Sequence, residues 1–228
     1  MKLDNVNLFP LGDSALTVSF GSEISPKLND KALLVADYLD KNPFPGFCET
    51  VPAYCSVSVF YDVLKVRSRF CEFPTAFEAV AEIVRNAVAK LQLSKKPNPR
   101  EIQIPVNFGE EFSLDLEFIA AEKKLSREKI IEIFISRSYR VYFLGFLPGF
   151  AYMGEVDEQI AVGRKSAPQK KIAKGSVGIA GRQTGIYPCD SPGGWQIIGK
   201  TDVELFTPDK SSPTFLRAGD LVRFTRIN

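Results

Sequence analysis

The chain holds 228 residues with a formal net charge of +2, 45% of them hydrophobic and 25% charged. That is the composition of a soluble globular protein with room for one large or two modest cores, and its charge balance excludes bulk electrostatics as a means of holding nucleic acid or a membrane surface. With no histidine anywhere, every Ser-His-Asp or Cys-His catalytic group and every His-ligated metal site is excluded as well.

The opening residues, MKLDNVNLFP, lack the apolar run and cleavage site of a signal peptide, and no stretch approaches the ~18 apolar residues of a membrane span. A cytoplasmic protein is expected. Cys48, Cys55, Cys71 and Cys189 form no CxxC pair. They are expected to be free thiols serving as small buried apolar residues.

SALTVSF (Ser14 to Phe20) reads as a strand. In SPKLNDKALLVADYLDK, Ser25 is a helix N-cap with Pro26 at the first helical position, and Leu28, Leu33, Val35, Ala36 and Leu39 form the apolar stripe. FCETVPAYCSVSVFYD, β-branched, aromatic and broken by Pro52, reads as two strands. PTAFEAVAEIVRNAVAKLQ is the clearest helix: Phe77, Val80, Ala81, Val84, Ala87, Val88 and Leu91 keep i, i+3, i+4 spacing. The order strand-strand-helix-strand-strand-helix predicts a small α+β domain over residues 1–95, its helices on one face of a sheet.

LSKKPNPRE, with two prolines and three basic residues, is the expected linker. Beyond it EIQIPVNF predicts a strand, SLDLEFIAAEKK and SREKIIEIFISR two amphipathic helices, and YRVYFLGF a buried strand. Ser126 caps the second helix, with Lys129 rather than an acid at N3. From Gly145 to Gly199 lie 11 of the 16 glycines, between the short β-like runs SVGIAG, TGIYP and WQIIGKT, and DLVRFTRI closes the chain. Short strands with Gly/Pro turns predict a mostly-β barrel or sandwich over 96–228.

Between Gln159 and Cys189 there is no Asp or Glu but there are six cations: Arg164, Lys165, Lys170, Lys171, Lys174 and Arg182. Glycine-turn amides beside fixed cations suit a carboxylate or phosphate; a solvated basic loop explains the same residues, and both readings stay open. No P-loop or GxGxxG fingerprint occurs. Gln183, Thr184 and Tyr187 supply neutral polar groups close together, Ser191 a donor, and Asp190 the one nearby carboxylate. Trp195 either stacks on a flat ligand or belongs to the core.

YRVYFLGFLPGFAYMG, GSVGIAGRQTGIYPCDSPGGWQIIGKT and FLRAGDLVRF, with LGDSALTVSFG and VPAYCSVSVFYD before them, closely resemble the family of the B-type subunit of the ATP-dependent 5-oxoprolinase. The same family includes the Kip-type inhibitor of a sporulation histidine kinase and the first subunit of allophanate hydrolase and urea carboxylase systems. The resemblance implies a cyclophilin-like barrel after the α+β domain. It implies a homologous second barrel subunit and a third, hydrolase subunit as partners, with ATP and Mg²⁺ used to activate 5-oxoproline for ring opening to glutamate. It places GSVGIAGRQTGIYP and SPGGW at a pocket, the bare backbone letting a small lactam or urea-like ligand lie close. Lys174, Gln183, Thr184 and Trp195 are the expected contacts, with Arg164 and Lys165 as anion anchors. Two departures stand out. Phe134 occupies a position where relatives usually carry His, and Gln169 and Ala173 replace an Arg and a Pro. The competing functions are a non-catalytic kinase inhibitor and a component of a urea-processing system.

Overall fold

The computed structural model describes residues 6–91 and 99–227. Contacts divide the chain into two units, Met1–Asn98 and Pro99–Asn228. Most of the expected linker, residues 93–98, and the 95/96 boundary with it, lie outside the described residues.

Alternation builds the first unit. In β4 (Ser56–Tyr61) Val57, Val59 and Tyr61 are buried while the residues between them are half-buried, the period of two that a strand with one face on a core requires. β1 (Asn7–Pro10), β2 (Ala15–Ser19), β3 (Phe47–Pro52) and β4 form an antiparallel sheet in the order β1-β2-β4-β3. Helices α1 (Pro26–Lys41), α2 (Val63–Arg69) and α3 (Ala76–Lys90) contribute to its core. Ser25 takes the extended conformation of an N-cap before Pro26, without a side-chain cap bond. On α1 the buried positions are Asn29, Ala32, Val35, Ala36 and Leu39; Leu28 and Leu33 are only half-buried. Asn29 is tolerated inside because its amide donates to the Ala53 carbonyl at 3.0 Å. α3 buries Val80, Ala81, Val84, Ala87 and Val88, and Thr75 and Glu78 complete a capping box at its start.

The second unit is a closed barrel of seven strands, in ring order β10-β7-β6-β13-β5-β12-β9. These are β5 (Glu101–Asn107), β6 (Ser138–Leu144), β7 (Ala151–Gly154), β9 (Ser176–Ala180), β10 (Gln183–Ile186), β12 (Gln196–Lys200) and β13 (Leu221–Ile227). Closure leaves no unpaired edge. It depends on a parallel pairing of the unit's first and last strands, from Leu221 opposite Glu101 to Ile227 opposite Asn107. Arg100 forks onto the buried Asp220 carboxylate, at 2.8 Å from Nε and 2.5 Å from Nη2, and so pins the start of that pairing. β8 (Gln169–Ile172) and β11 (Ser191–Gly193) form a separate two-stranded ribbon.

Helices α4 (Leu116–Lys123) and α5 (Arg127–Ile135) share the barrel's core through Leu116, Ile119, Ile130, Ile131 and Phe134. Ser126 caps α5 by accepting from the Lys129 amide at 3.2 Å. Phe134 is completely buried. It stacks on Phe224 with centroids 4.9 Å apart, and Phe108 and Tyr139 pack around it. Among the described residues no helix is long and apolar enough to cross a membrane. The four cysteines are free, but the expectation that they are buried is corrected: Cys48, Cys71 and Cys189 are exposed and Cys55 half-buried. None belongs to a core cluster, because aliphatic and aromatic side chains already fill the cores.

Candidate functional site

The site begins in the turn between β6 and β7. The Gly145 amide bonds the Phe150 carbonyl and the Phe150 amide the Leu147 carbonyl, so FLPGF closes into a tight loop. Gly149 sits at φ +83, and a Cβ there would fall 2.8 Å from Phe206 Cβ, so no larger residue fits. The loop holds Phe146 outward, 62% exposed and itself at φ +71, and turns Phe150 inward. β7 then presents Tyr152, the chain after β10 presents Tyr187, and Trp195 precedes β12. Phe150 meets Tyr152, Tyr187 and Trp195 edge-on, with centroids 4.9, 5.4 and 5.5 Å away. This is the favoured T-shaped arrangement of aromatic quadrupoles.

These rings wall a cavity of about 260 Å³. Phe146, Phe150, Tyr152, Tyr187 and Trp195 form its aromatic side; Pro168 and Pro192–Gly193–Gly194, from the β8–β11 ribbon and its flanks, form another. Arg164 is the cation in the wall, and the lining contains no Asp, Glu, Lys or Cys. Burial pushes the Tyr152 phenol above the ordinary tyrosine range, and Arg164 pulls it back. Burial raises Tyr187 too, opposed by the Trp195 backbone amide and then by Arg164. The cavity can therefore hold a small, flat, anionic molecule between rings and a guanidinium. It offers no general base or nucleophile that is ionised near neutral pH.

Of the eight residues expected at the pocket, the structure brings Arg164, Tyr187 and Trp195 together in the wall. The other five are absent from the lining, and most have a visible alternative employment. Thr184 is fully buried and its hydroxyl donates to the Gly178 carbonyl at 2.9 Å. Ser191 donates to the Pro192 carbonyl at 3.2 Å. Lys174 pairs with Glu204 at 2.6 Å and Lys165 with Asp115 at 2.7 Å. Gln183 starts β10 opposite Gly154 and Ala180.

The same geometry pairs most of the basic segment in space. Four of its six cations pair with carboxylates from outside it or at its edge: Lys165 with Asp115, Lys171 with Asp190, Lys174 with Glu204, and Arg182 with Glu155 and Glu158. Among the described residues Arg164 has neither an ion pair nor a hydrogen bond. Lys171 and the Lys174 amide hold the Asp190 carboxyl below its usual range, so that carboxylate is already engaged. No group of three or more Cys, Asp or Glu able to hold a metal occurs among the described residues.

Part of the bare backbone is filled by the protein itself. A Cβ on Gly193 would stand 2.3 Å from the Tyr187 hydroxyl, and one on Gly185 2.9 Å from the Phe150 ring. Gly185 and Gly193 thus make room for the aromatic wall, while Gly194, where a Cβ would meet nothing nearer than 3.9 Å, lines the cavity beside Gly193. Sequence reasoning missed Phe146, Phe150 and Tyr152, although three aromatics within seven residues around a glycine turn were a usable signal. It also missed Asp115, which lies 50 positions before its partner and gave none. Phe134 stands in the sealed core and Gln169 opposite Gly193 in the ribbon.

Residues 6–216 match the family described as carboxyltransferase domain, subdomain C and D. The B-type subunit of 5-oxoprolinase from Bacillus subtilis (strain 168) is 46% identical over 219 residues, which cover 96% of this chain and 91% of that protein. The crystal structure of TTHA0988 matches with a TM-score of 0.80 at 32% identity over 94% of this chain; the match spans only 40% of that longer chain. The urea amidolyase of K. lactis, 20% identical, shares the fold with a TM-score of 0.80 over 100% of this chain and 15% of its own.

Proposed function

This chain belongs to the carboxyltransferase domain, subdomain C and D family, and we propose that within it the chain serves as the B-type subunit of an ATP-dependent 5-oxoprolinase. In that role it helps to activate 5-oxoproline for ring opening to glutamate. The observation that carries the reading is the 46% identity to a 5-oxoprolinase subunit of that type across nearly the whole of both chains. The cavity supports it, since 5-oxoproline is a flat five-membered lactam bearing one carboxylate.

The walls also support a division of labour. They contain a guanidinium, phenols, an indole and apolar groups, but no carboxylate, ammonium or thiol. Activating a lactam oxygen with phosphate requires the leaving and developing charges to be neutralised, which Mg²⁺ and cations supply. We assign the ATP and its Mg²⁺ to partner chains: a homologous second barrel subunit, completing the site beside this cyclophilin-like barrel, and a third, hydrolase subunit.

The test is ADP release by the assembled subunits in a cytoplasm-like buffer. ATP turnover that requires both 5-oxoproline and this chain is the expected result. An assembled complex whose turnover ignores 5-oxoproline, or is unchanged when this chain is omitted, would overturn the reading.

A further inference from the structure

Arg164 differs from its sequence neighbour Lys165 in one physical respect. Lys165 is 14% exposed and its ammonium lies 2.7 Å from the equally enclosed Asp115 carboxylate. Arg164 lies in the cavity wall without an ion pair or hydrogen bond among the described residues. The short loop carrying it is nonetheless tightly fastened. The Gly163 carbonyl accepts from the Gln196 amide at 3.2 Å, the Lys165 amide donates to the Gly194 carbonyl at 2.8 Å, and Asp115 holds the Lys165 side chain. Asp115 is held in turn, its carboxylate accepting from the Ile197 amide at 2.7 Å. Three attachments within three residues thus fix the backbone on either side of a guanidinium that has been left open. A cation placed in this way is preorganised for an anion that arrives from outside.

We propose that the cavity is a monocarboxylate-binding subsite, in which Arg164 takes the carboxylate of a small planar-ring ligand while the ring rests against Tyr152 and Trp195. The charge count limits the anion. With one open guanidinium and no second cation in the wall, a single carboxylate is matched, whereas a triphosphate would remain largely uncompensated. Its volume of about 260 Å³ suits a small ring compound. The pull that Arg164 exerts on both the Tyr152 and Tyr187 phenols supports a guanidinium directed at the ring cluster. The proposal rests on the 5-oxoprolinase reading only for the choice of 5-oxoproline as one probe.

The ring cluster and the guanidinium all lie on this chain, so we expect the chain alone to bind the probes. Trp195 is its only tryptophan, which makes intrinsic fluorescence a report on the cavity itself. Three probes are titrated: 5-oxoproline, its carboxamide, and 2-furoate, a planar-ring carboxylate that is not a lactam. We expect a saturable change with at least one carboxylate and binding of the carboxamide weaker by about tenfold or more, the usual size of a lost charge-assisted bond. Arg164→Gln should lose the same factor with an unchanged thermal midpoint, and Arg164→Lys should recover part of it. Arg164-dependent binding of 2-furoate but not of 5-oxoproline would keep the subsite and count against the 5-oxoprolinase reading. Equal binding of acid and amide, unchanged affinity in Arg164→Gln, or no fluorescence response to either carboxylate would overturn the subsite.

Discussion

The barrel unit contains two aromatic clusters that differ in one decisive way. Phe108, Phe134, Tyr139 and Phe224 interlock beneath α5, and the one polar group among them is satisfied inside, the Tyr139 hydroxyl donating to the Phe134 carbonyl at 2.7 Å. Phe150, Tyr152, Tyr187 and Trp195 interlock just as closely, but they face a cavity and a guanidinium that nothing described neutralises. Ring packing of the same kind therefore serves cohesion in one place and reception in the other. The difference is made by what borders the rings: aliphatic helix faces around the first cluster, and glycines, prolines and one open cation around the second.

The sharpest way to break this distinction is Phe134→Ala. Removing a fully buried ring that touches three others should destabilise the fold by about 3–5 kcal/mol, while probe affinity at the cavity stays unchanged in the fraction that remains folded. Chemical denaturation and Trp195 fluorescence read the two effects separately. A small stability loss together with a large affinity loss would mean that the sealed cluster is part of the reception site after all. The departure at Phe134 bears on the same point. Phe134 is one member of an interlocked quartet of rings, none of which lines the cavity.

Asp115→Asn should have the next largest effect. The amide oxygen can still accept from Ile197, so the change isolates the ion pair and leaves Lys165 enclosed without its counter-charge. Because both side chains are 14% exposed rather than sealed, we expect a loss of about 1–3 kcal/mol. Since the pair fastens the Arg164 loop, carboxylate binding should weaken several-fold while carboxamide binding does not. A matching loss for both probes would show a general loosening of the cavity rather than a misplaced guanidinium.

Much of the architecture could be read along the chain because it is written in local periods. The spacing of Val80, Val84 and Val88 announces α3, β-branched and aromatic content announces β4, and Ser25–Pro26 and Ser126 mark helix starts. Strands of three or four residues such as β7 and β11 carry too few periods to be seen. The parallel closure of β5 on β13 joins residues about 120 positions apart, as Arg100 and Asp220 show, and no local signal encodes it. Long motifs identified the family, yet the residues within those motifs that build the wall were only partly legible. Glycine content suggested room for a ligand, whereas the Phe150 ring and the Tyr187 hydroxyl occupy the space that Gly185 and Gly193 leave.

Charge was the least legible property, and Lys174→Ala tests why. Along the chain Lys174 belongs to a run of six cations without an acid among them; in space its ammonium lies 2.6 Å from Glu204 and both side chains are about half exposed, at 51% and 50%. A solvated pair of this kind contributes little, so we expect a stability change below about 0.5 kcal/mol and no change in carboxylate affinity. The contrast with Arg164→Gln is the informative quantity. If the two variants weaken carboxylate binding equally, the anion is attracted by the summed field of the basic segment, and its salt sensitivity should be correspondingly steep. If only Arg164→Gln does so, recognition resides in one guanidinium kept free by the pairing of its neighbours. On that outcome Asp115, Glu155, Glu158, Asp190 and Glu204 shape the site without touching its ligand, by withdrawing competing cations from it.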